Sequence, residues 1–415
     1  MSGPGKLRGS DPITAPHPVS ADMPGASRTI SGREHSVLPK PIRVLHIIHS
    51  LVAGGIERQL LELLKGMKGD DAFESELVIL SDVVQYDAFW ELGIKTHFMP
   101  RTTRYDPKIF FKLYRLMRDF RPHIVHSWGS MCSVYAAPVA KLAGAKFVNG
   151  YVQDAPDGLT IANRDYFRGK LTLPFSDVVV SNSKAGLAAY GVPAGKGICI
   201  VNGFDWTRME YLRPAAEVRL ALGITTPHIV GMVAAFGDRK DYDSFFRAAR
   251  ALTAMREDVT FLAIGDGPNR QHFESLFPPA AHPRIRLLGL RRDVEDIVNA
   301  LTVGVLTTNA KVHGEGIANV VMEYMAAGKP VIVTDCGGNR ELVEEGGSGF
   351  LIPDGDSEAL IRLLARLLDD PVLCSRLGDK GRRRIDDAFG MDRMIESHAR
   401  LYRDLLSGER VGSRH

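Results

Sequence analysis

From residue 42 onward, apolar and polar positions follow a repeating alternation of short apolar runs and longer stretches with leucine-type residues at helical spacing. Residues 42–48 form an apolar run interrupted at His46, which predicts a strand. It leads through Val52, Ala53, Gly54 and Gly55 into residues 56–67, whose leucines repeat with a helical period. Strand, glycine turn and helix in that order let a backbone come close to a phosphate. Further strands are predicted at 77–80, 95–99, 123–127, from 147, and at 177–181, with helices at 107–120 and 131–142. A second series opens at 228–235 and continues with strands at 261–264, 285–288, 331–333 and 349–352. Helices are predicted at 320–327, 356–368, 371–385 and 391–406. Such alternation implies parallel sheets covered on both faces, so the class is α/β with two Rossmann-like domains. The boundaries read as a first domain at 41–205, a connector at 206–227 carrying Pro214 and Pro227, a second domain at 228–388, and a final helix and tail at 389–415. Residues 1–40 are rich in Gly, Pro and Ser, lack the apolar core of a signal peptide, and read as a disordered tail.

Composition narrows this picture. A length of 415 residues suits two cores better than one. A net charge of +3 gives no basis for a nucleic-acid partner. Cys132, Cys199, Cys336 and Cys374 are far apart in sequence and show no metal-ligand spacing, so they read as reduced thiols of a cytoplasmic protein. No apolar run approaches the ~18 residues of a membrane span. Segment 101–121 carries seven Lys or Arg against two Asp, interleaved with Phe110, Phe111, Leu113, Tyr114, Leu116 and Met117. It reads either as a sheet-covering helix with its apolar stripe inward, or as a basic amphipathic helix lying on an anionic membrane.

The candidate chemistry concentrates in residues 313–341. Glu315 sits between Gly314 and Gly316, and seven residues separate it from Glu323. Asn319 reads as the cap of a helix that Gly328 ends, and Gly337–Gly338 reads as a loop open to close approach by a ligand. A helix N-terminus offers unpaired N–H groups and positive dipole to a phosphate. Glu323, about one turn into the helix, is then expected to face the same ligand as Glu315. Glu315 suits sugar hydroxyls and Glu323 a ribose diol, which together point to a nucleotide-sugar. The plainer reading of the spacing alone is a surface helix with two glutamates.

The run from Glu315 through Glu323 and Asp335 to Glu341 closely resembles the donor-site signature of family 4 glycosyltransferases, which are retaining enzymes with the GT-B fold. The resemblance extends over about 42–406 and implies a cleft between the two domains, with a C-terminal helix crossing back to the first. It implies catalytic roles for Glu315 and Lys240, and donor contacts from Gly54, Gly55, Arg239, Gly265, Leu290, Gly316, Ile317, Ala318, Asn319 and Glu323. The loop 234–241 resembles the pyrophosphate-contacting loop of the family, with Lys240 matching but Ala235 standing where an arginine is usual. Arg239 is the candidate replacement.

A second departure lies at 149–154, Asn-Gly-Tyr-Val-Gln-Asp, where many members place a histidine near the transferred sugar. His126 and Asp154 are the acceptor-side candidates, and His49 lies at the end of the first strand as either a structural or a ligand-facing residue. The implied activity is transfer of a sugar from a nucleoside diphosphate donor to a hydroxyl of a lipid-linked or polysaccharide glycan. It is expected to retain configuration, to need neither metal nor cofactor, and to act in the cytoplasm or at the inner face of the membrane. A nucleotide-sugar epimerase on the same fold, or a catalytically silent binding module, are the alternatives.

Overall fold

The computed structural model describes residues 38–408, apart from 53, 86–87 and 104–105. Almost all of the expected N-terminal tail, and residues 409–415 after the final helix, lie outside the described residues.

The first sheet contains β1 (Ile42–Ile48), β2 (Phe73–Ile79), β3 (Thr96–Phe98), β4 (Ile124–Trp128), β5 (Lys146–Gly150), β6 (Val178–Ser181) and β7 (Gly197–Cys199). The second contains β8 (His228–Val233), β9 (Val259–Ile264), β10 (Ile285–Gly289), β11 (Val303–Leu306), β12 (Val331–Thr334) and β13 (Gly349–Ile352). All neighbours are parallel, in the orders β3-β2-β1-β4-β5-β6-β7 and β10-β9-β8-β11-β12-β13. The order reverses between β1 and β4 and again between β8 and β11. In open α/β sheets, ligands bind outside the carboxyl ends of the strands at such reversals.

The strand runs are apolar because both faces are covered: every residue of β9, β11 and β12 is buried. In the second half an aromatic group of Phe236, Tyr242, Phe245, Phe246 and Phe273 anchors the core. One face of the first sheet packs against the helices Lys108–Phe120 and Ser130–Leu142. The other receives the final helix Met391–Ser407, through Met394, Leu401, Tyr402 and Leu405. The expected crossover helix is therefore present.

The basic helix Lys108–Phe120 serves first as a sheet cover. Ile109, Leu113, Leu116 and Met117 are buried, while Lys108, Lys112, Arg115, Arg118 and Phe111 face outward. It ends where Arg121 turns left-handed at φ 51° and returns its N–H to the Met117 carbonyl at 2.9 Å. Strands β7 and β11 were not anticipated. They are three and four residues long.

Candidate active site

A cleft of about 380 Å³ opens where the carboxyl ends of the two sheets face each other. One wall is the loop from β11 to the helix Asn319–Ala326, with Arg239 and Lys240 after β8. Gly316, Ile317, Ala318 and Asn319 all line it. The glycines that bracket Glu315 answer to backbone crowding. A Cβ on Gly314 would collide with the Ala155 carbonyl, and Ala155 N–H donates to the Gly314 carbonyl at 2.9 Å. Gly337 has φ 52°, and a Cβ there would strike the Glu315 carbonyl, to which Gly338 N–H donates at 2.7 Å. The Gly337–Gly338 approach is therefore to the Glu315 loop, where the sequence had suggested a ligand.

Glu315 is buried at 6% exposure. Lys240 Nζ and Thr308 Oγ1 both donate to its Oε1, the latter at 2.7 Å. Burial works against its charge, but Lys240 and His313 outweigh it and hold the carboxyl well below the usual carboxylate range. His313 lies between two carboxylates. Its Nδ1 is 3.3 Å from Asp154 Oδ2 and its Nε2 is 3.6 Å from Glu315 Oε2. Burial alone would lower the imidazole, yet the bonds to Asp154 and Glu315 raise it above its ordinary value. Tyr190 Oη donates to the other Asp154 oxygen at 2.7 Å. A chain of charge-assisted contacts thus crosses from Tyr190 and Asp154 of the first domain to His313, Glu315 and Lys240 of the second. The sequence reading assigned His313 no role, although it stands two residues before Glu315 in the same glycine-bracketed loop. It also places a histidine beside Asp154, near the segment where the family's usual histidine is absent.

The opposite wall is built on histidines of another kind. His46, His126, Trp128, His398 and Tyr402 pack ring against ring, with His126 and Trp128 stacked at 4.5 Å. Trp128 Nε1 donates to His46 Nδ1 at 3.2 Å, and His126 Nδ1 pairs with Tyr402 Oη at 2.8 Å. Burial pushes His46 down to about 3 and His398 to about 4, and holds His126 well below its ordinary value. His126, expected at the acceptor, is therefore a neutral core residue that lines the cleft while its Nδ1 is tied to the crossover helix. Asp154 is on the wall, half-buried and next to His313. His49 is exposed and lines an adjoining pocket.

Two further expectations are corrected. Asn319 does not cap the helix; it is its first residue, after Ala318, with no side-chain cap. Its side chain joins the domains instead, donating to the Gly55 carbonyl at 3.2 Å and accepting from Gln59 at 3.2 Å and Asn202 at 2.9 Å. Glu323 does not share a wall with Glu315. Its Oε1 accepts from Arg58 at 2.5 Å and Arg208 at 2.8 Å, because a carboxylate buried to 4% exposure requires cations around it.

Gly55 lines the cleft, while Gly54 is the extended residue just before the helix Gly55–Met67. Arg239 lines both the cleft and the adjoining pocket, so a cation is present despite Ala235. Gly265 abuts Ala234 at the end of β9, where a Cβ would meet the Ala234 carbonyl, and Leu290 is exposed after β10. The four cysteines are free. Two Asp-x-Asp triplets, at 241–243 and 354–356, serve the backbone: Asp241 accepts from Ser244 N–H at 3.0 Å and Asp356 from Ala359 N–H at 2.8 Å. Among the described residues no group of three or more His, Cys, Asp or Glu is placed to hold a metal ion.

Two family models match the chain: "Glycosyltransferase Family 4" over residues 53–208 and "Glycosyl transferases group 1" over 227–370. The UDP-Gal:alpha-D-GlcNAc-diphosphoundecaprenol alpha-1,3-galactosyltransferase of Escherichia coli is 24% identical over 387 residues, covering 88% of this chain and 97% of that protein. EpsD of Bacillus subtilis is 29% identical over 175 residues, or 41% of this chain, and the match spans only 45% of the relative's length. Among solved structures, Anabaena Alr3699/HepE in complex with UDP superposes with a TM-score of 0.75 at 20% identity, covering 86% of this chain and 98% of that one. That likeness establishes the fold as GT-B. With both halves matched in order and the cleft between them, the chain belongs to glycosyltransferase family 4.

Proposed function

We propose that this glycosyltransferase moves a hexose from a nucleoside diphosphate sugar to a hydroxyl of a lipid-linked or polysaccharide glycan, with retention and without a metal. The observation that carries the reading is the Glu315–Lys240 pair beside the loop that leads into the helix Asn319–Ala326. Transfer from a diphosphate develops negative charge on the leaving group, and preorganised cations in a closed cleft stabilise it best. Lys240 and Arg239 supply those cations, and the helix end adds its dipole. Glu315, held ionised and aimed by Lys240 and Thr308, is suited to position hydroxyls of the transferred ring. Glu323 would hold the ribose through its second oxygen while keeping its arginines. A solved relative of this fold is described in complex with UDP-glucose, and the Escherichia coli relative takes a UDP-sugar to a diphosphoundecaprenol acceptor, which supports UDP as the first nucleotide to try.

Among the described residues no helix is long and apolar enough to cross a membrane. The outward basic face of Lys108–Phe120 would instead rest on an anionic bilayer at the cytoplasmic side, each cation contributing on the order of 1 kcal/mol. Replacing Lys108, Lys112 and Arg115 by Glu should then abolish binding to anionic vesicles.

The direct test is incubation of pure protein with a panel of nucleotide-sugars. Slow release of nucleoside diphosphate and of the retained free-sugar anomer, followed by NMR, is expected for one donor. An inverted anomer overturns retention, an epimerised sugar indicates the epimerase, and binding without turnover indicates the silent module.

A further inference from the structure

Two more cavities open from the reaction cleft, one behind the other. The first, about 260 Å³, shares Ile56, Trp128, Gln153, Asp154 and Arg239 with the cleft. Its wall includes Tyr151, which is 2% exposed and whose hydroxyl has no hydrogen-bond partner. The polar lining of this pocket comes from Ser50, Ser130, Gln153, Asp154 and Tyr190. The second cavity, about 270 Å³, shares Met131 and Arg168 with the first. Its other walls are largely apolar: Phe110, Val134, Tyr135, Phe167 and Leu171. Phe167 and Leu171 are each 52% exposed, so the groove is open to the outside.

Arg168 stands at the junction. Its side chain is only 13% exposed, and its Nη1 lies 3.2 Å from Asp165 Oδ1 and 3.5 Å from Ser130 Oγ. Both contacts run from Nη1, and a guanidinium carries five N–H donors. Asp165 therefore fixes the direction of the group without using all of it. Arg164 adds a second cation to the groove wall, and Asp106 is held by Thr102 and the Lys108 backbone.

From the reaction centre outward the order is a polar pocket, an arginine, and an apolar groove. That is the order of parts in a sugar linked through phosphate to a hydrocarbon chain. We propose that this series of cavities is the seat of such an acceptor. Its sugar lies against Gln153 and Asp154, its phosphate at Arg168, and its chain along Phe110, Phe167 and Leu171. The proposal rests on the glycosyltransferase reading above and adds to it the chemical class of the acceptor and where each part is held. Charge complementarity selects the occupant: an uncharged hydrocarbon would gain nothing from Arg164 and Arg168.

The test is calorimetric titration of the full chain with decyl phosphate below its micelle concentration, with inorganic phosphate, and with decanol. Decyl phosphate is expected to bind tightest, since each two methylenes seated contribute on the order of tenfold. Leu171→Asp and Phe167→Asp change exposed side chains, so the fold should survive. Each is expected to weaken decyl phosphate at least about tenfold and leave inorganic phosphate unchanged. Arg168→Gln should weaken decyl phosphate and spare decanol. Equal affinity of wild type and Leu171→Asp for decyl phosphate overturns the proposal. So does binding of decyl phosphate no tighter than that of its separate parts, or vesicle binding with no affinity for the monomer. UDP is titrated in parallel: loss of UDP binding and of donor hydrolysis in the wild type would refute the transferase reading, and the decyl phosphate titration would still report on the seat.

Discussion

The two walls of the cleft handle buried polarity in opposite ways. On the second-domain wall, charges are kept and matched, Glu315 with Lys240 and His313; outside the cleft lining, Glu323 is matched in the same way with Arg58 and Arg208. On the first-domain wall, His46, His126 and His398 are kept neutral by burial among rings. His313 and His126 are both largely out of water, yet one is raised and the other lowered. Burial lowers both, and only charged partners overturn it. His313 faces two carboxylates, whereas His126 meets a tyrosine hydroxyl and other histidines.

The largest effect that tests this contrast is on stability in acid. The unfolded histidines titrate near 6.5, and the three in the cluster titrate far lower in the fold. Between those values the unfolded chain binds more protons, so stability is full above about 6.5 and is lost progressively as pH falls towards the folded values. At pH 5 each histidine costs about 2 kcal/mol, and the cluster roughly 4–6 kcal/mol as an upper figure. His313 has the opposite sign. Its raised value stabilises fully below about 6.5 and that contribution is lost as pH rises through it. Urea unfolding at pH 7 and pH 5 measures the difference. Equal midpoints at the two pH values would show that the cluster is not neutral as described.

Next in size is the loss of the Glu315 charge. Glu315→Gln should lower kcat about 10²–10³-fold, the range for removing one preorganised polar group from a transition state. Nucleoside diphosphate affinity should stay nearly intact if the residue addresses the sugar. Steady-state kinetics with UDP calorimetry separates the two. A variant that loses the bare nucleotide and retains turnover would place the diphosphate, not the sugar, at Glu315.

How far the sequence revealed these walls follows from the range of each interaction. β1, β8 and β12 were legible because parallel strands covered on both faces read as apolar runs, and the donor loop because its glycines and carboxylates are contiguous. What escaped was long-range. His313 acquires its role from Asp154, 159 residues away by number, and Glu323 is held by Arg58 across 265 residues. Asn319 fits a cap by type and position, yet Gly55, Gln59 and Asn202 claim its amide. His126 looked like a cleft residue, and only the position of the crossover helix shows that Tyr402 holds it. Apolar periodicity encodes which face is buried, but not which distant polar group arrives there.

A smaller effect separates Glu323, outside the cleft lining, from Glu315. Glu323→Gln should weaken nucleoside diphosphate about ten- to a hundredfold, since a charge-assisted bond contributes roughly 1.5–3 kcal/mol. The loss should appear in KM with kcat little changed, because ribose contacts are similar in ground and transition states. Arg208 would lose one of two carboxylates and keep Glu295, 2.5 Å away, which limits the structural damage. Calorimetry with UDP and a melting curve on the same variant distinguish the roles. A lowered melting temperature with unchanged nucleotide affinity would make Glu323 a purely structural anchor for the two arginines.

The smallest expected effect is none at all, and it bears on how the charged wall works. A leaving diphosphate requires positive charge from somewhere. Lys240 and Arg239 both line the cleft, and the loop before the helix Asn319–Ala326 completes that side. Glu315 on this wall is engaged with Lys240, and Glu323, outside the cleft lining, with Arg58 and Arg208. A divalent ion would have to displace those partners before it could bridge to phosphate, which disfavours a metal route here. Treating the enzyme with excess EDTA and removing it by dialysis should leave the transfer rate within about twofold, since no charge-assisted contact is removed. Magnesium added back should not raise it. Activity abolished by the chelator and restored by magnesium would mean that the protein cations do not suffice, and that the contrast between a self-neutralised wall and a neutral one is drawn in the wrong place.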